Sequence, residues 1–212
     1  MKIGIIGVGT IAAFHIEAYQ KNPNVEVYAF CDINEKRLKA MGEKYGVTRL
    51  YTDKDEMLKL EELDAVSVCT WNSAHAPCSI AALKAGKHVL CEKPMSYDRT
   101  ELIAMGEKAR QTGCVLSICH VLRYSPFFVK LKDLIDSGAI GQLVSIQHIE
   151  SVGYWHMAHS FVRGNWSRSE DSCPMILAKC CHDTDILTWL AGSSCEAVSS
   201  FGSLSHFNAA HK

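Results

Sequence analysis

The chain carries almost no surplus charge. Lys and Arg number 22 against 23 Asp and Glu, a formal net charge of −1. Nucleic-acid binding needs a basic footprint to neutralise phosphates, and this balance supplies none. Long apolar runs are missing as well. No stretch approaches the ~20 apolar residues that cross a bilayer as a helix, so no membrane partner is expected. The apolar run Lys2–Ile6 follows Met1 directly, which leaves no place for a signal peptide. Cysteines are plentiful, ten in 212 residues, yet no CxxC pair occurs. A zinc ribbon or thioredoxin-like motif therefore has no support. The adjacent Cys180 and Cys181 would point about 100° apart on a helix and chelate poorly, so no metal is expected. Cys31, Cys69, Cys91, Cys114 and Cys119 lie in or at the ends of apolar runs, where a thiol packs as a small hydrophobe. Free thiols, a reducing compartment and a cytoplasmic location are expected. There is no internal repeat and no low-complexity tract.

What the chain does have is an ordered alternation of elements. At 48% hydrophobic and 21% charged residues it has the composition of a globular protein. Strands are predicted over Lys2–Ile6, Val25–Cys31, Asp64–Thr70, His88–Cys91 and Cys114–Cys119. Helices are predicted between them: one carrying Ile11, Phe14, Ile16 and Ala18, one from Asn34 to Tyr45 stopped by Gly46, and a short one after Asp53. Two more follow, over Ser79–Ala85 and from about Asp98 to Gln111. This rhythm means βαβ units and a parallel sheet, and the near-continuous apolar strands fit a sheet covered on both faces. The fold class is α/β, with a doubly wound Rossmann sheet over residues 1–120.

After about residue 120 the rhythm changes. Ser125-Pro126 opens a helix running to Ser137-Gly138. Leu143–Val152 and Cys195–Leu204 are predicted strands of a different sheet. Gly153–Cys173 is a long aromatic-rich loop, and Pro174–Leu190 is predicted as one helix ending at Gly192. Residues 121–212 thus read as a second, partial α/β domain.

Gly7-Val8-Gly9-Thr10-Ile11-Ala12 is a GxGxxA turn between a predicted strand and a predicted helix. In that context Gly7 allows the tight turn, Gly9 lets the backbone approach a pyrophosphate, and Ala12 keeps helix and strand close. The helix N-terminus, with Thr10 and Ile11 in its first turn, offers partial positive charge to the anion. Asp32 falls 20 residues after Ala12, where a carboxylate accepts hydrogen bonds from ribose hydroxyls and repels a 2′-phosphate. NAD(H) is favoured; Arg37 nearby keeps NADP(H) open.

Three further segments complete a pattern: Thr70-Trp71-Asn72-Ser73-Ala74-His75, Cys91-Glu92-Lys93-Pro94 and His120-Val121-Leu122-Arg123-Tyr124-Ser125-Pro126. With the opening turn, the chain resembles the glucose–fructose oxidoreductase / inositol dehydrogenase (Gfo/Idh/MocA) family. The Glu-Lys-Pro segment at a strand end is its most specific mark. The resemblance implies a Rossmann domain followed by an α/β domain with an open, mostly antiparallel sheet that commonly pairs two copies. It implies NAD(P)-dependent oxidation or reduction of a sugar, cyclitol or related carbonyl or alcohol. It implies that Lys93 sits beside the nicotinamide, that Thr70, Asn72, His75 and Glu92 line the cofactor, and that His182 and Asp185 face the substrate. Two departures stand out. Trp71 replaces the usual Pro, and Ala178 stands where many members carry Asp four residues before the helical His. The chain is also shorter than typical members.

Hydride transfer from an alcohol leaves a hydroxyl proton to be handled, and the protein must move it. Lys93, at the carboxyl end of a strand, is placed where ligands bind in open α/β sheets. Lys179, His182 and Asp185 recur every three residues and would form one ridge on a helix. On this reading Lys93 and His182 relay the proton and Asp185 anchors a substrate hydroxyl. Lys179 partly fills the place left by Ala178. Arg123, Tyr124, Trp155, His156, Arg163 and Trp166 are candidate substrate contacts. Two rival readings share the fold: an NAD-dependent glycosidase and a non-catalytic nucleotide-binding regulator.

Overall fold

The protein is described from a computed structural model, which defines residues 1–164, 166–168, 172–203 and 205–208. The chain divides into two compact units, Met1–Cys119 and His120–Lys212.

The first unit is built on six strands: β1 (Lys2–Ile6), β2 (Glu26–Cys31), β3 (Leu50–Tyr51), β4 (Ala65–Val68), β5 (His88–Cys91) and β6 (Leu116–Ile118). They form one parallel sheet in the order β3-β2-β1-β4-β5-β6. The order reverses at β1, so two halves wind outward from it. Between the strands run α1 (Thr10–Gln20), α2 (Glu35–Tyr45), α3 (Lys54–Leu58), α4 (His75–Lys84) and α5 (Arg99–Thr112). Local chemistry sets their ends. The Asn34 side chain caps α2 by accepting from the Arg37 backbone N–H, and Gly46 ends it in the left-handed region at φ 72°. Asp98 caps α5 by accepting from the backbone N–H groups of Thr100 and Glu101.

Side chains alternate across the sheet, and each face has its own core. Ile5 and Phe30 pack with Ala12 and Ile16 of α1 and Leu38 of α2. Ile6, Val66 and Val68 pack with Met57 of α3, Leu83 of α4 and Met105 of α5. Each of these buried side chains larger than alanine contributes roughly 1.5–3 kcal/mol relative to exposure. The two-residue β3 was not predicted, since so short a strand carries no periodicity. In α1 the buried residues are Ala12 and Ile16, while Ile11 and Phe14 face solvent.

The second unit holds α6 (Pro126–Asp136), α7 (Tyr154–His156) continued by a π-turn over Met157–Val162, α8 (Met175–Ala178) and α9 (Cys181–Ala191). Two expectations fail here. First, Leu143–Val152 and the described part of Cys195–Leu204 are not strands, and the described residues of this unit form no antiparallel sheet; Leu204 lies outside the described residues. Apolar alternation alone does not make a strand, because the backbone also needs a neighbour to pair with. Val144, Ile149, Val198 and Phe201 are accordingly exposed. Second, the helix expected over Pro174–Leu190 is broken between α8 and α9 at Lys179 and Cys180. The expected Lys-His-Asp ridge therefore does not lie on one helix: Lys179 caps α8, while His182 and Asp185 belong to α9.

Among the described residues no helix is long and apolar enough to cross a membrane. None of the ten cysteines is in a disulfide.

Candidate functional site

Strand register brings the candidate residues of the first unit to one edge. Ile6 aligns with Cys31 and Val68, and Cys91 aligns with Val68 and Ile118. The residues that follow these strand ends are Gly7, Asp32, Cys69, Glu92 and Cys119. The backbone ladder continues through several of them, with Gly7 N–H donating to Cys31 O at 2.8 Å and Glu92 N–H to Val68 O at 3.0 Å. This is the carboxyl edge of the sheet, beside the strand where the winding reverses.

Gly7 has φ +85°, and a Cβ there would lie 2.8 Å from the Cys69 carbonyl carbon and oxygen. Only glycine fits this turn. At Gly9 a Cβ would meet nothing within 4 Å, so space is open above the turn. No side chain caps α1, and no acidic residue stands in its first turn. An uncapped helix start beside an open glycine is a fitting cradle for a pyrophosphate.

Asp32 is buried, its side chain 3% exposed. Oδ2 accepts from the Val8 N–H at 2.9 Å and Arg37 Nε at 3.1 Å; Oδ1 accepts from the Asn34 N–H at 2.8 Å and Arg37 Nη2 at 2.9 Å. Burial pushes this carboxyl up, but Arg37 and the two backbone donors outweigh it, and the net is below the usual carboxylate range. Arg37 was expected as a cofactor-binding residue that keeps NADP(H) open; in the structure its guanidinium pairs with Asp32.

Thr70 and Asn72 lie between β4 and α4, Asn72 opening a short 3₁₀ turn that leads into His75. His75 is buried. Its Nδ1 is 2.7 Å from the Pro94 carbonyl oxygen and its Nε2 is 3.2 Å from that of Thr70. A carbonyl only accepts, so the shorter contact places the proton on Nδ1. Burial pushes the imidazole pKa down, which keeps the ring neutral. His75 thus ties the loop after β4 to the Glu92-Lys93-Pro94 segment. Lys93 itself is half-buried. Glu92 accepts the Lys93 backbone N–H at 3.1 Å and faces His15 Nε2 of α1 at 2.9 Å. Burial pushes Glu92 up, yet His15 and the Lys93 N–H bring it below the usual range. Burial beside Glu92 pushes the Cys119 thiol up to about 12. His15 was not singled out in the sequence; its spacing on α1 gave no hint of a partner 77 residues away.

In the second unit His182 and Asp185 share a face of α9, as expected. The segment Val121–Tyr124 brings up Arg123, which donates through Nε and Nη2 to the two Asp185 oxygens, each at 2.7 Å. His120 Nδ1 is 3.1 Å from Asp185 Oδ1, and its ring stands edge-on to His182 at 6.0 Å. Asp185 is therefore held by Arg123 and His120. His120 lies in a quoted motif but was not named as a candidate.

Of the remaining candidates, Trp155, His156 and Trp166 are linked in a chain of ring contacts through Phe161, which stacks on His156 at 6.0 Å. Tyr124 is 80% exposed. Trp155 stacks loosely with His156 at 5.7 Å, and Trp166 contacts Phe161 at 6.4 Å. Arg163 ends the π-turn. Lys179 Nζ pairs with Glu150 at 3.1 Å, and His148 Nε2 with Asp183 Oδ1 at 2.6 Å.

Residues 1–120 match a family model described as oxidoreductase family, NAD-binding Rossmann fold, and residues 132–212 match one described as oxidoreductase family, C-terminal alpha/beta domain. The chain is 37% identical over 142 residues to a myo-inositol 2-dehydrogenase of Thermotoga maritima, covering 67% of this chain and 42% of that protein. It is 30% identical over 193 residues to an inositol 2-dehydrogenase/D-chiro-inositol 3-dehydrogenase of Lactiplantibacillus plantarum, covering 89% and 52%. It superposes with a TM-score of 0.79 and 27% identity on a crystal structure of scyllo-inositol dehydrogenase from Lactobacillus casei with bound NAD(H) and scyllo-inositol, covering 91% of this chain and 56% of that one. The chain thus spans about half the length of the proteins it matches.

Proposed function

The chain belongs to the Gfo/Idh/MocA oxidoreductase family, and from that premise we propose that it binds NAD(H) and serves oxidation or reduction of a cyclitol or sugar at a CH–OH group. One observation carries the reading. The glycine turn, the buried acidic residue and the Glu-Lys-Pro segment all stand at the carboxyl edge of one parallel sheet. Relatives named as inositol dehydrogenases support the substrate class.

The residues present fit the dinucleotide. Gly7, Gly9, Thr10 and Ile11 would hold the pyrophosphate through backbone N–H groups. Asp32 would take the ribose hydroxyls when Arg37 yields part of its grip, and this favours NAD(H) over NADP(H). Thr70, Asn72, His75 and Glu92 would line the rest. NAD(H), when bound, supplies hydride exchange with the substrate carbon. Lys93 holds or takes the proton of the reacting hydroxyl; Glu92 and His75 fix the backbone that presents it. In the second unit His182 is the candidate acid–base group, oriented beside His120 and the Arg123–Asp185 pair. We assign Arg123 and Asp185 to positioning, and Tyr124, Trp155, Arg163, Trp166 and Lys179 as candidate contacts to the polyol. Ten cysteines without a disulfide accord with a reducing, cytoplasmic setting. Pairing of copies through the exposed Val144, Ile149, Val198 and Phe201 belongs to the same reading.

A panel of polyols and sugars, followed by NADH absorbance, tests this. Turnover of a cyclitol or sugar supports it. NAD binding with no turnover replaces it with the regulator. Release of free sugar with no net NADH change replaces it with the glycosidase.

A further inference from the structure

The second unit gathers a donor set that the dehydrogenase reading leaves unused. His148 and Glu150 stand two residues apart in the segment between α6 and α7, and Asp183 stands in the first turn of α9. One donor atom from each lies within 4.8 Å of the other two. Asp183 is 9% exposed, and its Oδ1 is 2.6 Å from His148 Nε2. The Glu150 carboxylate faces Lys179 Nζ at 3.1 Å. Two carboxylates this close repel each other and hold together only with positive charge between or beside them. In the described structure Lys179 supplies it.

We propose that His148, Glu150 and Asp183 form a divalent-cation site that takes Zn²⁺, with Lys179 as the competing internal cation. The donors suit that ion: an imidazole nitrogen favours zinc over magnesium or calcium, and carboxylates complete a three-ligand site with one open position for water. Bonds of ~2.0–2.2 Å place tetrahedral donors about 3.3 Å apart. To reach that spacing His148 Nε2 opens from its 2.6 Å contact with Asp183 while Glu150 draws in, and the His148 and Glu150 side chains, 25% and 34% exposed, have room to adjust. Asp183 is fixed by the helix. Zinc binding frees Lys179 from Glu150 and turns His148 from a hydrogen-bond partner of Asp183 into a ligand beside it. The site does not depend on the dehydrogenase assignment.

The test is a Co²⁺ titration of the whole chain read by visible absorption, followed by displacement with Zn²⁺. One equivalent of cobalt giving d–d bands, displaced by zinc, is expected. Glu150→Gln and His148→Gln should each weaken it by about tenfold or more, as ligand loss does. Lys179→Met should tighten binding several-fold, because it removes the competing ammonium. Circular dichroism on these exposed-site variants checks that the fold is intact. Three outcomes would overturn the proposal: no cobalt spectrum, affinity unchanged in both ligand variants, or a thiolate charge-transfer band that moves the site to the cysteines.

Discussion

Arg123 grips Asp185 with both arms of its guanidinium, Nε on one carboxylate oxygen and Nη2 on the other, each at 2.7 Å. The pair spans 62 residues of sequence. It joins the segment after the first unit to α9, and it fixes the carboxylate that His120 also faces. A planar fork does this and a lysine does not. Arg123→Lys should therefore cost about 1 kcal/mol of stability. Arg123→Ala should cost about 1–3 kcal/mol, because Asp185, 11% exposed, is left without its main partner. Denaturant midpoints of the two variants check this. An alanine variant as stable as the parent would mean the pair is ornamental.

The two glycines of the opening turn should behave oppositely. Gly7→Ala puts a Cβ into the Cys69 backbone in a left-handed conformation, so the fold itself should suffer by about 2 kcal/mol or more. Gly9→Ala places a Cβ in open space at φ −79°, so the fold should be untouched. That methyl would stand where a pyrophosphate needs close approach. Thermal melts with and without NAD separate the cases: Gly9→Ala should melt like the parent alone but lose most of the NAD-induced rise. A full NAD-induced rise in Gly9→Ala would move the phosphate elsewhere.

The first unit was legible because its signals are local. Glycine turns, caps at Asn34 and Asp98, and apolar strand runs each act within a few residues. The pairing of Asp32 with Arg37 was half legible: the residues were both named, but which of them a ribose meets first depends on a side-chain geometry that spacing does not encode. In the second unit the decisive contacts are distant in sequence. His120 with Asp185 and His148 with Asp183 have no local signature. The break at Lys179 was hidden because no Gly or Pro marks it, and the strand-like run Leu143–Val152 shows that apolar alternation reports a preference whose outcome depends on a partner strand.

Acid should unfold the first unit through two buried carboxylates. Asp32 and Glu92 both titrate below their ordinary values of 3.8 and 4.5. A carboxyl whose folded pKa is depressed contributes stability that is complete above its unfolded pKa and is lost as pH falls through the folded one. The share carried by these two carboxylates should thus be flat from neutrality down to about pH 4.5 and fall steadily below it, on top of an earlier loss that begins near pH 6.5, where the buried neutral His75 would be charged in the unfolded chain. Asp32→Asn should flatten part of that fall while lowering stability at neutral pH. Denaturation curves at a series of pH values would expose an error if stability dropped already between pH 7 and 5 by titration of these two carboxylates, or if the variant fell as steeply as the parent.

Lys93 separates chemistry from binding. Its backbone is held by Glu92 and, through Pro94, by His75, so removal of the side-chain amine leaves that support in place. Lys93→Ala should cost about 10²–10⁴ in kcat on whichever polyol is turned over, the usual worth of a positioned proton-transfer group. NAD binding, read by thermal shift, should remain. Lys93→Arg distinguishes two forms of the role. Arginine stays charged and cannot take a proton near neutrality, so it restores activity if the amine polarises a carbonyl and restores nothing if the amine is a base. Full activity in Lys93→Ala would remove this residue from the reaction altogether and leave the Rossmann unit as a binding module.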